Sequence, residues 1–362
     1  MTRITNRQLG IILFISTIAL KFSVKPSIMS KYSGVDIYLA IILDVILELM
    51  MFALILYFVL KHPDEDFYDY LKNSFGVVFA KIVFVLLFIY FLIKTLLTVQ
   101  EIYIYFLETL FDNFNTIYFV VPLFLLLAYI LKKDFFVYAR SVEILFWFII
   151  VGLIIVMVVP INNMQLINYF PILENGFANL ITGIEKTSFG GGDYLVLLVF
   201  MKYVDKNDKK SPLIVNVLLA MWVVVSFYFV FVGVFGKTGV NQLLAISDIS
   251  LHNAYPSSIG RMDWLTIIIW TVTLILQMGF TGYICMYLLR NIMPISKTKA
   301  VVSIESVLIV LFLIGNNYFT VFFELIMSTP FLIYVGVLHY LLPLVLIINH
   351  FIVKRTHYEK ST

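Results

Sequence analysis

Gly183-Ile184-Glu185-Lys186-Thr187-Ser188-Phe189-Gly190-Gly191-Gly192-Asp193 sets three consecutive glycines among charges and hydroxyls, inside a run (180–203) that is otherwise apolar. Backbone that leaves helical geometry inside a bilayer frees N–H and C=O groups that lipid cannot satisfy, so it must be buried in protein or line a cavity. A second run carries a comparable interruption: Ser16-Thr17-Ile18-Ala19-Leu20-Lys21-Phe22-Ser23-Val24-Lys25-Pro26 combines hydroxyls, two lysines and a helix-breaking proline near mid-span. The surrounding chain supplies the membrane context. Of its 362 residues, 62% are hydrophobic and 13% charged, with a mean hydropathy of +1.00; a soluble domain carries roughly 25% charged residues. These values exclude an ordinary water-soluble enzyme and point to a polytopic membrane protein.

A helix needs about 20 apolar residues to cross a bilayer. Ten runs qualify, at 8–29, 37–60, 77–100, 116–131, 138–160, 180–203, 213–235, 264–289, 300–315 and 329–353. Cytoplasmic loops are enriched in Lys and Arg. With ten crossings, eighteen of the 25 basic residues fall on one side, Lys31, Lys237 and Arg261 fall opposite, and Lys21, Lys25, Lys94 and Lys186 fall at membrane depth. Both termini are therefore expected in the cytoplasm. No soluble segment is long enough to separate, so 1–362 reads as one transmembrane domain. In the outer loop, 240–251 (VNQLLAISDISL) is expected to form a short amphipathic surface helix.

The two interrupted runs are the first and sixth, corresponding members of two five-helix halves. Such pairing points to an inverted-repeat transporter fold with a small-molecule site between broken helices near the midplane. Half-helix N-termini offer positive dipole ends to a carboxylate, and freed carbonyls receive an ammonium or a cation. An amino acid presents both groups. Candidate ligand contacts are Thr17, Lys21, Phe22, Ser23, Tyr90, Glu185, Ser188, Phe189, Gly190, Gly191 and Gly192; the alternative for the glycines is close helix packing.

Asp44 and Glu48 are four residues apart and share a helix face. Buried charges in a membrane are costly and pair, and Lys94 and Lys21 are the expected partners. Asp44, Glu48, Lys94, Lys186 and Asp193 thus form a candidate charge network, either proton-responsive or a static clamp. Glu185 could receive an amine or pair with Lys21. Lys25 is expected to snorkel to the outer headgroups, and Gln277 and His339 to make interhelical hydrogen bonds. With one cysteine, Cys285, and no GxxxxGK[ST], GxSxG or HExxH run, no catalytic residue, metal site or cofactor is indicated. The basic residues follow the inner membrane boundary rather than a nucleic-acid surface.

ITNRQL (4–9), PDEDFYDYLKNSFG (63–76), NYFPILENGFANLITGIEKTSFGGGDYLVLLVFMKYV (168–204) and YPSSIGRMDWLTIIIW (255–270) together resemble the B-subunit family of endospore nutrient-germinant receptors, a branch of the amino acid–polyamine–organocation transporter superfamily. The resemblance runs through essentially the whole chain. It is carried most by the approach from Pro171 to Gly176, by Asp193 after the break, and by Arg261-Met262-Asp263. It implies an all-α membrane fold, a LeuT-like 5+5 inverted repeat whose helices one and six are unwound at about 17–24 and 185–192. It also implies the inner spore membrane, sensing of amino acids or other small nutrients, and partner A and C subunits. Family relatives commonly carry glycine near the first break, where this chain has Ala19-Leu20-Lys21-Phe22. Two rival readings are an autonomous proton-coupled amino acid permease and a non-binding assembly subunit plugged by its own lysines.

Overall fold

A computed structural model describes residues 4–62, 65–109, 115–201, 208–251 and 263–359. Among these residues every regular element is helical. Arg3, Lys202, Lys206, Arg261 and Lys360, all counted for orientation, lie outside the described residues, as do the 180–203 run's end at Tyr203 and residues 63–64, 202–204 and 255–262 of the quoted motifs.

The helices run in order α1 Asn6–Ala19, α2 Lys25–Ser33, α3 Ile37–Lys61, α4 Phe67–Phe75, α5 Val77–Thr109, α6 Thr116–Lys132, α7 Phe135–Val158, α8 Phe177–Lys186, α9 Val196–Val199, α10 Ser211–Phe235, α11 Ala245–Leu251, α12 Asp263–Ile292, α13 Lys297–Asn317, α14 Phe319–Ile326, α15 Thr329–Gly336 and α16 Leu342–Glu359. Seven helical stretches among them are long and apolar enough to span a membrane: Lys25–Lys61, Val77–Thr109, Phe135–Asn163, Ser211–Asn241, Trp264–Ile292, Lys297–Asn316 and Thr329–Ile352. The chain is a multi-pass membrane protein.

Three of the ten expected runs, 8–29, 116–131 and 180–203, do not appear as separate long spans among these seven; the shorter apolar helices α1 and α6 lie at the first two. Helix α1 begins at a capping box in which the Thr5 hydroxyl accepts from Gln8 N–H and Gln8 Oε1 accepts from Thr5 N–H. Its 14 residues rise about 21 Å, short of a ~30 Å hydrocarbon core. It stops at Ala19 and the chain resumes as α2 after a five-residue turn at 20–24. Pro26 sits in the first turn of α2, where its missing N–H is harmless, so it starts a half-helix rather than breaking one. Thr17, expected in the unwound part, is helical. Helix α8 is likewise a half-helix of 10 residues. After it the backbone runs through short 3-10 turns at Ser188–Gly190 and Asp193–Leu195 into α9. Gly192 takes the left-handed conformation (φ 75°) that glycine alone enters without cost. Glu185 and Lys186 therefore belong to the helix, and the irregular stretch begins at Thr187.

Both interruptions are packed inside the bundle. Helix α1 lies against α10, α7 and α12, while α3 supports α8 and the Asp193 turn. The outer-loop helix is shorter than expected and is no surface element. It covers Ala245–Leu251, with Ala245, Ile246 and Ile249 buried, and the Ala245 and Ile246 amides donate to the carbonyls of Ser23 and Phe22. Its first turn caps the break in α1.

Candidate functional site

Three buried lysine–carboxylate pairs lie where the two interruptions meet α3 and α5. Lys21 Nζ is 2.6 Å from Glu48 Oε2, Lys25 Nζ 2.8 Å from Asp44 Oδ2, and Lys94 Nζ 2.7 Å from Asp193 Oδ1. Asp44 and Glu48 do share one face of α3, and each takes a lysine from the α1–α2 region. Lys25 does not snorkel. It is 1% exposed and belongs to the network, because α2 packs against α3 and α8 and leaves no route to headgroups. Three cations face three carboxylates, so the cluster is balanced.

Hydrogen bonds tie the second break to this cluster. Lys94 also donates to Gly191 O (2.8 Å), Tyr90 donates to the same carbonyl (2.6 Å), and Ser16 donates to Asp193 Oδ1 (2.5 Å). Tyr90 has spent its only proton on Gly191, so the His339 Nε2 group 2.9 Å away is the donor in that pair. His339 thus makes an interhelical bond, and its own carbonyl accepts from Tyr194. Tyr228 donates to Lys21 O at 3.1 Å, satisfying a carbonyl freed by the first break. Phe22 stacks on Phe227 and Trp270 with centroids 4.0 and 5.9 Å away. Phe189 and Gly190 are buried beside the turn.

Little space remains. A cavity of about 10 Å³ touches Thr17, Glu48 and Asp193, a volume on the order of one water molecule. Glu48 Oε1 and Asp193 Oδ2 have no hydrogen-bond partner among the described residues.

Other candidates lie elsewhere. Glu185 is exposed and does not meet Lys21, whose partner is Glu48. Lys186 is no member of the charge network either: its Nζ donates to Met327 O at 2.8 Å. Both residues line a separate cavity with Ser188. Lys186 reaches Met327, between α14 and α15, and the cavity that both residues line is bounded by α15 and by Leu47 of α3. Gln277 is fully buried, yet neither side-chain polar atom has a partner among the described residues.

Sequence reasoning missed Glu101. This carboxylate is 7% exposed, lies against the Ser23 hydroxyl and Val24 amide, and has no partner for Oε2 among the described residues. The 77–100 run stopped one residue short of it. The available signal was spacing: Tyr90, Lys94, Thr98 and Glu101 fall on one face of a helix that continues to Thr109.

A family profile described as spore germination protein, the spore permease group, matches residues 3–320. The chain belongs to this spore germination family. No curated protein matches it. The match covers both interruptions and all six residues of the ion-pair network. Spore permease proteins are a transporter- or receptor-type membrane family, in keeping with the membrane-spanning helices.

Proposed function

We propose that this spore permease protein is the B subunit of a nutrient-germinant receptor, sensing a small nutrient such as an amino acid and signalling through partner A and C subunits. The single observation that carries the reading is the ion-paired junction of the two interruptions, where Lys94 holds both Gly191 O and Asp193. An ammonium and a carboxylate on one small molecule are the groups able to exchange with such pairs. The reading takes α1 with α2 and α8 with α9 as the broken first and sixth of ten crossings, in a LeuT-like 5+5 repeat forming one domain over 1–362. It places both termini in the cytoplasm and the protein in the inner spore membrane. Thr17, Lys21, Phe22, Ser23, Tyr90, Phe189 and Gly190–Gly192 are its contacts.

The described arrangement is a closed state, because a space of about 10 Å³ admits no amino acid. A ligand then acts by favouring an arrangement in which one lysine has left its carboxylate; equal affinity for both arrangements would shift nothing. The closed space also supports a second reading, a non-binding assembly subunit plugged by Lys21 and Lys94.

The test is amino acid uptake and binding in proteoliposomes, with and without an imposed pH gradient. Saturable binding without accumulation is expected, lost in Lys21→Met and Gly191→Val at normal protein levels. Gradient-driven accumulation would replace the receptor with an autonomous permease. Absence of binding, with partner subunits present as well, would leave the plugged subunit.

A further inference from the structure

Residues 293–296 join α12 to α13 between two stretches long and apolar enough to span a membrane, Trp264–Ile292 and Lys297–Asn316, so this hairpin lies at a membrane surface. An open groove of about 450 Å³ runs against it, a volume within the range of small-molecule sites. Leu289, Met293, Ile295 and Val302 form its apolar wall, and Thr298, Lys299 and Ser303 supply its polar groups. Among the described residues no acidic side chain lines it.

The local sequence carries charge of one sign. Arg290-Asn291-Ile292-Met293-Pro294-Ile295-Ser296-Lys297-Thr298-Lys299 holds three cations and no acid. Lys297 is committed: its Nζ donates to Lys132 O and Lys133 O at 3.0 and 2.8 Å and stands 3.9 Å from Asp134 Oδ1, tying the hairpin to the α6–α7 turn. The Lys299 ammonium, by contrast, has no hydrogen-bond or ion-pair partner among the described residues. From Lys299 onward α13 turns an apolar face outward: Val302, Val310 and Ile314 are each more than half exposed. Val310 lies eleven residues on, close to three turns, and so on the same face as Lys299 at about 16 Å along the helix. That distance is about one leaflet of a ~30 Å hydrocarbon core.

We propose that this groove holds an anionic phospholipid, with its headgroup phosphate paired with Lys299 and an acyl chain lying against Met293, Val302 and the exposed face of α13. Charge complementarity selects the headgroup. A zwitterionic lipid brings a cation of its own to Lys299, whereas an anionic one leaves a net negative charge to pair with it, as basic pockets between membrane helices do. Continuity selects the tail, because the apolar wall of the groove runs on into the outward face of a membrane-spanning helix. The site shares no residue with the ion-paired junction and does not depend on the receptor reading.

The experiment attaches bimane to the full chain carrying Val302→Cys in phosphatidylcholine vesicles, the native Cys285 being fully buried, and quenches it with doxyl-labelled lipid. Doxyl-phosphatidylglycerol is expected to quench at roughly one-fifth of the mole fraction that doxyl-phosphatidylcholine needs, the factor that one cation at a membrane surface supplies. An added Lys299→Gln should remove most of that preference, and Lys299→Arg should keep it. Bimane on Val151→Cys, at an exposed position of α7 amid uncharged residues, should show no preference. Equal quenching by the two lipids at position 302, a preference indifferent to Lys299→Gln, or the same preference at position 151 overturns the proposal. Relief of the quenching by soluble glycerol phosphate overturns it too, since the site would then take phosphate without a lipid. Thermal unfolding of the otherwise native chain in detergent micelles gives the same decision without the label: phosphatidylglycerol should raise the midpoint more than phosphatidylcholine does, and Lys299→Gln should abolish the difference.

Discussion

The two interruptions in this spore permease protein solve one problem by different means. The first, at 20–24, contains no glycine. Leu20 and Val24 keep right-handed dihedrals, and the freed carbonyls of Lys21, Phe22 and Ser23 are capped by Tyr228 and by the amides of α11. The second, at 187–195, has three glycines, a left-handed Gly192, and Lys94 and Tyr90 from α5 on the carbonyl of Gly191. In the first, ordinary residues turn because neighbours satisfy the backbone. In the second, the backbone takes a left-handed shape that glycine enters without cost, and a buried cation holds it. The absence of glycine at the first break therefore does not prevent unwinding there.

Removing the cation at the second break should have the largest effect. Lys94→Met leaves Asp193 uncompensated and Gly191 O with Tyr90 alone, and should cost about 3–5 kcal/mol, the usual scale for breaking a buried pair. Denaturant titration in mixed micelles checks it, and Lys94→Met/Asp193→Asn should recover much of the loss. If the single variant is neutral, the two breaks are not held differently. Gly192→Ala comes next: an L residue is unfavourable at φ 75°, and the new methyl would overlap the His339 ring, so a loss of about 2 kcal/mol or more is expected. His339→Ala in the same chain should relieve the overlap but not the backbone part. The smallest effect belongs to the first break. Tyr228→Phe removes one hydrogen bond to Lys21 O and should cost about 1 kcal/mol; a much larger loss would show that this break depends on single contacts as the second does.

How much was legible can be judged residue by residue. Both interruptions were visible, because glycine runs, charges and a proline within apolar stretches have local causes. The shared face of Asp44 and Glu48 was visible too, since helical spacing decides it. Lys25 was not: whether a lysine snorkels or is buried depends on what packs over it, and here that is α3 and α8, the first beginning twelve residues away and the second more than 150. Glu185 and Lys186 looked like parts of the break, yet α8 stays regular through both and turns them to another cavity. Glu101 was lost at a run boundary, and the burial of α11 had no local sign.

Composition and periodicity alone determined that this is a helical membrane protein, where its apolar runs lie and which two are interrupted, because hydropathy and backbone preference are properties of neighbouring residues. The tertiary structure decided which lysine meets which carboxylate, that the space at the junction is about 10 Å³, and that Glu185 and Lys186 line a larger, separate cavity. Ion pairing and cavity volume depend on distances between segments far apart in the chain, and those distances exist only once the helices have packed.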